Sequence, residues 1–515
     1  MLRSFVLSAL ATAVLAGPFN TFDGPGFPAC REVATVYHPT SVNEIVSIVK
    51  NVSATGAPIR AAGVGHMWYM VDTDCRADTM CSDDARTVII QTNGTASISD
   101  FTFDKTKQQG SVVVEAGVTF FELAAYLHDR NASIGNSLVN WNITLGGAIS
   151  MCAHRSSLLE HSTVSGAVLG LDIVVANGTI VSLNKAEHGT TDDWYAAVCN
   201  LGLLGVLVRA KLLIYPEFKV SADQKILDED DVINGDLSKL IGPYPTANFW
   251  WWPGQKKFHQ RFYQVVNSTQ QGFQSTFSLS SFEAWAGKGL LEAGATSTLL
   301  AKTAEWTFFQ IWSSPNFHDK NTNLAILFWP VAGYSHDSLI GGLYPDQKVE
   351  WEQGFRGKTM EIAFPVTEAS KMFKRVRELI DAEEAAGTPI VATYRSGINI
   401  KFAKTFDAFM AQSSSLGDSA AAAAYKSGAI MLDWPTYLPD SGVRYNEAFY
   451  KKLPETLLKE FPNARPHWTK NTRDIFKLAQ PNLDPKILAR FAAVRARFDP
   501  NKTFKSVVGE ILGVV

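Results

Sequence analysis

A histidine closes a glycine-rich loop in this chain: Ala61-Ala62-Gly63-Val64-Gly65-His66-Met67-Trp68. Two glycines at the exit of a strand let backbone amides approach an anion closely, as pyrophosphate binding requires. A dinucleotide fingerprint of the βαβ kind needs a third glycine at position 68, where Trp68 stands, so that reading fails. A second loop, Asn142-Ile-Thr144-Leu-Gly146-Gly147-Ala-Ile-Ser150, precedes His154, and a third, Leu201-Gly-Leu-Leu-Gly205-Val206, opens a strand. Any one of them reads equally well as a tight turn. Three in one segment suit an extended cofactor better than a small phosphate. Further on, Ala464-Arg-Pro-His467-Trp-Thr-Lys470 sets an imidazole and an ammonium three residues apart. Taken alone, that pair would sit in a solvated loop.

The elements around these loops alternate. Ser41 and Glu44 read as a capping box ahead of a helix through Val42, Ile45, Val46 and Val49, ended by Gly56. Pro58–Ala61, Val88–Ile90 and Val112–Val114 read as strands, and Thr119 with Glu122 opens a helix over Phe120–Leu127. Asn177-Gly178 between two β-branched runs predicts a hairpin. From about 220 to 455 the texture shifts to aromatic-rich strands such as Asn248–Pro253 and Asn323–Pro330, whose prolines belong at strand ends. Helical patterns lie between them at Glu368–Ala386 and Ala420–Ala424, and a last one covers Pro485–Phe498.

With 515 residues, two domains are the default expectation. A net charge of -3 offers no basic field for nucleic acid or an anionic membrane. The first residues read as a secretory signal with cleavage after Ala16, too short for a membrane span. Sequons at Asn51, Asn93, Asn131, Asn142, Asn177, Asn267 and Asn501 agree with export and N-glycans, though Asn142 lies in a loop assigned to the cofactor. Five cysteines leave at least one thiol unpaired. One disulfide is expected among Cys30, Cys75 and Cys81, its connectivity open, and Cys152 is expected as a buried small residue. The cysteine spacings match no zinc site, and no metal is expected. Neither G-x-S-x-G nor H-E-x-x-H occurs, which argues against a hydrolase.

Together the loops resemble the vanillyl-alcohol oxidase flavoprotein family, particularly its sugar-1,4-lactone and alditol oxidase branch. Gly63-Val-Gly65-His66 is similar to the family's G-x-G-H-S element, with Met67 for the usual Ser; Thr144–Ser150 with His154 is similar to its second loop, Arg155 replacing a Gly. Arg465-Pro-His467-Trp-Thr-Lys470 resembles the branch's R-P-H-W-x-K signature. The resemblance implies an α+β, two-domain fold of the PCMH type. It divides into a signal at 1–16, an FAD-binding domain at 17–219, a substrate (cap) domain with a large antiparallel sheet at 220–455, and a tail at 456–515 returning to the FAD domain.

It further implies FAD attached covalently through His66. Ala62, Gly63, Val64, Gly65, Met67, Thr144, Gly146, Gly147, Ser150, His154, Gly205, Val206, His467 and Lys470 would then surround the cofactor. Where the branch carries a Glu-x-Arg pair, this chain has Asn399 and Lys401; Asn is no general base, and Lys is a point cation rather than a planar fork. Glu361 fits another acidic position. The implied activity is a secreted oxidase: a small alcohol (carbohydrate, polyol or lactone) gives a hydride to flavin, and O2 is reduced to H2O2. Lys470 would supply positive charge, and Asn399 and Lys401 would bind substrate hydroxyls. The alternatives are a dehydrogenase with another electron acceptor and a catalytically silent flavin-containing binding protein.

Overall fold

The computed structural model describes residues 12–20, 28–66, 80–135, 143–242, 244, 246–272, 275–276, 281–294, 296–313, 317–319, 325–326, 331–334, 357–387, 397–437 and 447–515. Met67, Cys75, Asn142 and most of Asn323–Pro330 lie outside these.

Four strands form the first sheet: β1 (Thr12–Asn20), β2 (Pro28–His38), β3 (Ile59–Ala62) and β4 (Val88–Gln91), in the order β1-β2-β4-β3. The expected cleavage point after Ala16 falls inside β1, where Thr12–Leu15 pair with Thr35–His38. The amphipathic helix Val42–Ser53 buries Val42, Ile45, Ile48, Val49 and Val52 against this sheet's apolar residues. Ser41 caps it as its position predicts, but the expected box is not closed: the Glu44 carboxylate accepts from Thr40 N at 2.8 Å instead. At Thr119 the box closes in both directions.

The second sheet comprises β5 (Ile98–Asp104), β6 (Gln109–Glu115), β7 (Ala132–Ser133), β8 (Val168–Val174), β9 (Ile180–Asn184) and β10 (Val206–Pro216), with the path β5-β6-β10-β8-β9 and β7 on β10. The Asn177-Gly178 hairpin joins β8 to β9, Gly178 taking φ 81°.

The third sheet has eight strands, all antiparallel: β11 (Lys219–Asp228), β12 (Thr246–Trp252), β13 (Lys257–Val266), then, after three short strands β14 (Ser275–Thr276), β15 (Phe317–Asp319) and β16 (Ala325–Ile326) that form a sheet of their own, β17 (Val331–Tyr334), β18 (Gly357–Pro365), β19 (Ile398–Ala403), β20 (Ala429–Tyr437) and β21 (Arg465–Pro466). Their order is β17-β11-β13-β12-β19-β20-β18-β21. Alternation gives the sheet two unlike faces. One carries Phe249, Trp251, Phe258, Ile400, Leu432 and Ile362, packed on Met372, Phe373 and Val376 of the helix Ala369–Ala385 and on Leu453 and Leu457 of the helix Glu447–Glu460. The other carries Glu361, Lys401, Asp433, Asn399, Asn248 and His259, buried or half-buried polar groups that need partners.

The segment after the second glycine loop meets the third sheet. Ser157 N donates to Phe402 O at 3.0 Å, and Lys404 N donates to Ser157 O at 2.8 Å. The tail crosses both halves. β21 pairs with β18, whereas Leu488, Phe491 and Val494 of the helix Pro485–Phe498 join the core beneath the second sheet.

Among the described residues there are two disulfides, Cys30–Cys81 and Cys152–Cys199. The first resolves the choice left open among three cysteines. The second corrects the reading of Cys152: it is buried, but as half of a bond that ties the second glycine loop to the third.

Arg60 on β3 is 1% exposed and donates to four carbonyls: Met80 O (2.6 Å), Gly202 O (2.6 Å), Leu201 O (2.8 Å) and Phe504 O (2.8 Å). Leu201 and Gly202 reach it through consecutive left-handed conformations, φ 53° and 65°. Replacing Arg60 with Leu orphans these carbonyls and should destabilise the fold by roughly 3–5 kcal/mol. A thermal melt of Arg60→Leu within a few tenths of a degree of the parent would contradict that.

Candidate active site

The loop leaving β3 turns at Gly65, φ 83°, and presents His66 half-buried. A Cβ at position 63 would lie 1.8 Å from Thr144 Oγ1 and 2.8 Å from Thr144 Cβ, so only glycine lets the first loop close onto the second. Thr144 precedes the short helix Leu145–Ser150, which holds Gly146, Gly147 and Ser150; Leu201 N of the third loop donates to Ser150 O at 2.9 Å. Arg60, two residues before Ala62, grips the third loop from the other side. The three loops therefore converge, with bare backbone where they meet, and this suits the pyrophosphate and isoalloxazine of an extended cofactor. Gly205 has a different explanation. A Cβ there would meet Val174 O at 2.4 Å, so strand pairing of Val206 with Val174 accounts for it without a ligand.

Beside this cradle the polar face of the third sheet meets the tail. Glu361 on β18 is fully buried, and its two carboxylate oxygens are held from different directions. Oε1 lies 2.6 Å from His154 Nε2, whereas Oε2 accepts from Lys470 Nζ at 2.6 Å and Lys401 Nζ at 3.4 Å. Asp433 on β20, directly opposite Glu361 in the ladder, accepts from Lys401 at 2.6 Å and Lys470 at 2.8 Å. Thr359 Oγ1 donates to its other oxygen at 2.6 Å. Two carboxylates and two ammoniums thus alternate in a buried quartet.

Charges set the protonation. Despite desolvation, the two lysines, His467 and His154 hold the Glu361 carboxyl well below the carboxylate range, and Lys401 and Lys470 lower Asp433. The two carboxylates, against the cost of burial, push the Lys470 ammonium upward. His154 Nδ1 lies 3.0 Å from Arg155 O, so both ring nitrogens face acceptor oxygens. His467 is pulled down to about 3 by burial, so its ring is neutral. Its Nδ1 accepts from Thr469 N at 3.2 Å, leaving the proton on Nε2, 3.9 Å from Glu361 Oε1. Asn471 locks the frame, donating to Glu361 O (2.7 Å) and His467 O (2.8 Å) and accepting from Glu361 N (3.2 Å). Burial, with the charge of Lys470, pulls His66 down to about 3 as well. That links the first loop electrostatically to the tail.

The geometry places the expected residues as follows. Lys470 is buried and paired with Glu361 and Asp433. Lys401 is paired with Asp433 and Glu361. His154 sets its ring nitrogens against Glu361 and the Arg155 carbonyl. Asn399 faces the same side as Lys401, one strand from Asp433, and its Oδ1 is buried without a hydrogen-bond partner among the described residues. Asp433, Thr359 and Asn471 were not singled out from sequence. His154, Glu361 and His467 also sit close enough to share a metal ion. Two ammoniums on the other Glu361 oxygen oppose a divalent cation there.

Residues 33–184 match a family model described as an FAD-binding domain, and residues 210–510 match the model described as D-arabinono-1,4-lactone oxidase. The chain is similar to the D-arabinono-1,4-lactone oxidase of Kluyveromyces lactis, 26% identical over 232 residues, covering 45% of this chain and 41% of that protein. It thus matches only about two-fifths of that relative's length. It is also similar to the L-gulonolactone oxidase of Mus musculus, 23% identical over 477 residues, covering 91% and 92%. Among solved structures a solvent-stable cholesterol oxidase shares the fold, with TM-score 0.72 and 15% identity over 99% of this chain and 100% of that one.

The quartet sets a pH dependence. Both carboxylates are depressed, so their stabilisation is present above the ordinary carboxylate range and is lost as pH falls through the lowered values; Lys470 is raised, so its share persists up to the ordinary lysine range and beyond. Asp433→Asn, which leaves excess buried positive charge, should cost about 3 kcal/mol at neutral pH. The Tm gap between parent and variant should be level from about pH 5 to pH 9 and narrow below about pH 4. A gap that widens in acid would refute this assignment.

Proposed function

Because the chain belongs to the D-arabinono-1,4-lactone oxidase family and carries an FAD-binding domain, we propose that it is an FAD-dependent oxidase of a sugar lactone or related hydroxylated small molecule. Held by the glycine loops around Gly63, Thr144 and His66, FAD would supply the acceptor for the substrate's C–H hydride and the route for two electrons to O2, with the hydroxyl proton and the hydride appearing together in H2O2. The observation that carries this reading is the buried quartet set against three converging glycine loops, with His66 and Lys470 electrostatically coupled between them.

The chain's own residues have distinct parts. The neutral imidazole of His66 is the form able to bond a carbon electrophile, which supports covalent attachment of the cofactor there. The two ammoniums of the quartet balance its two carboxylates, which hold Lys470 as a fixed, dry cation that favours negative charge developing beside it. Glu361, held low by two ammoniums, is a poor proton acceptor; its part is to fix Lys470 and His154. His467 keeps a donor on Nε2 at the same place. Asn399, standing where an acid would, offers an amide to a substrate hydroxyl.

Export is part of the proposal. Two disulfides suit an oxidising compartment, and the sequon residues Asn51, Asn93, Asn131, Asn177, Asn267 and Asn501 are all exposed. No helix of the described residues is long and apolar enough to cross a membrane.

Purified protein should be yellow, and the colour should stay with the acid-precipitated pellet. His66→Ala should release it to the supernatant, and colour that remained in the pellet of that variant would remove His66 as the link. Lys470→Met should slow anaerobic bleaching of the flavin by substrate about 10²–10³-fold. An unchanged bleaching rate would take Lys470 out of the reaction.

A further inference from the structure

Solvent reaches the polar face of the third sheet at a narrow place. Glu361, Asp433 and Lys401 are buried in their quartet, and Trp250 and Trp252 on β12 are only 7% and 0% exposed. Between the two groups lies Asn399, the one half-buried residue of β19, whose Oδ1 has no hydrogen-bond partner among the described residues.

Strand register sets what bounds this place. Asn399 stands opposite Asp433 on one side and opposite Trp250 on the other, so the three side chains share the face. Toward the end of β12, Trp252 closes a further side. A Cβ at Gly397, two residues before Asn399, would lie 2.9 Å from Trp252 Cε2, so only a glycine there, at φ 71°, lets the indole lie against β19. Phe309 of the helix Thr298–Ser313 packs on that indole, with centroids 5.7 Å apart.

Trp250 is braced as well. Its ring stacks on His259, centroids 5.5 Å apart at 29°, and the Arg261 guanidinium lies 5.6 Å from its centroid. Both come from β13, the strand on the side of β12 away from Asn399. On the same face beyond Trp250, Asn248 Oδ1, His259 Nδ1 and Tyr263 OH are buried without a hydrogen-bond partner among the described residues. Polar groups left unpaired in a dry place destabilise a fold, and water could satisfy them if the indole were smaller. The side chain that keeps them dry is explained by what it keeps out.

Distance decides what that is. From Asp433 to Trp250 is two strand spacings, about 10 Å at ~4.8 Å each. That is room for one sugar ring with its hydroxyls, the reacting carbon toward Lys470 and the far edge on Asn399. A second ring joined at the far end would have to occupy the place of the Trp250 indole. We propose that Trp250 is a specificity-determining residue: its indole ends the substrate site one ring beyond the quartet and so excludes substrates that carry a second ring there. The inference rests on the oxidase reading and adds to it the residue that limits substrate size.

The test uses the full flavin-loaded protein. Anaerobic flavin reduction is followed first with the 1,4-lactones of the five- and six-carbon aldonic acids. The fastest of these is then compared with the same lactone bearing a β-galactosyl unit on its terminal hydroxyl, at the end away from the carbonyl. In the parent, kcat/KM should fall at least tenfold when that unit is added. In Trp250→Ala, kcat/KM for the two-ring lactone should rise at least tenfold above the parent's, a gain that mere loosening of the fold does not produce. Trp250→Leu reads the same gain if the alanine variant does not hold parental flavin. A parent that oxidises both lactones alike overturns the proposal and leaves the oxidase intact. So does a two-ring rate that rises in neither variant. Flavin that no lactone reduces would instead sink the oxidase reading, and the role of Trp250 with it.

Discussion

The structure turns on the Glu361 carboxylate. It is taken entirely out of water, which costs several kcal/mol for an ion unless partners surround it. Its neighbour across the ladder is another buried acid, Asp433, so strand pairing alone would place two negative charges side by side. Lys401 comes from β19 and Lys470 from the segment after β21, each bridging both acids, while His154 reaches in from beyond the second glycine loop. The charges are tolerable only when all these pieces of chain are in place. The FAD-binding domain, the third sheet and the tail are thereby held to one geometry.

This explains why the sheet is built with two unlike faces. The apolar face can be closed by any helices of suitable volume, and those of Ala369–Ala385 and Glu447–Glu460 close it with ordinary packing. The other face carries groups that cannot be left bare, so its covering has to be specific: serine and histidine side chains from residues 154–157, and Asn471 spanning two backbone carbonyls. The face proposed to carry the reaction is also the one where hydrogen bonding leaves least freedom.

Much of this was legible in the residues. The three glycine loops stood out together, His66, His467 and Lys470 stood out through the motifs that resemble the flavoprotein family, and Thr119 with Glu122 announced a helix start that the structure closes in both directions. Glu361 and Lys401 were picked out, but their partnership was not, since cross-strand register between residues 40 apart leaves no local trace. Asp433 left one unused signal. It is a lone acid within the apolar run Ile430-Met-Leu-Asp433-Trp434, where an unpaired charge could not survive. The Cys152–Cys199 bond escaped because pairing depends on two loops meeting in space. Glu44 went to Thr40 rather than Ser41, a one-residue shift of the kind that spacing rules do not resolve.

Arg60 has a bearing on how the protein comes into being. Its guanidinium holds carbonyls from residues 80, 201, 202 and 504 at once. The strand that carries it leaves the ribosome more than four hundred residues before Phe504 does. Until then the guanidinium lacks one of the carbonyls it holds in the folded chain, so the first sheet reaches its final hydrogen bonding only when the tail arrives.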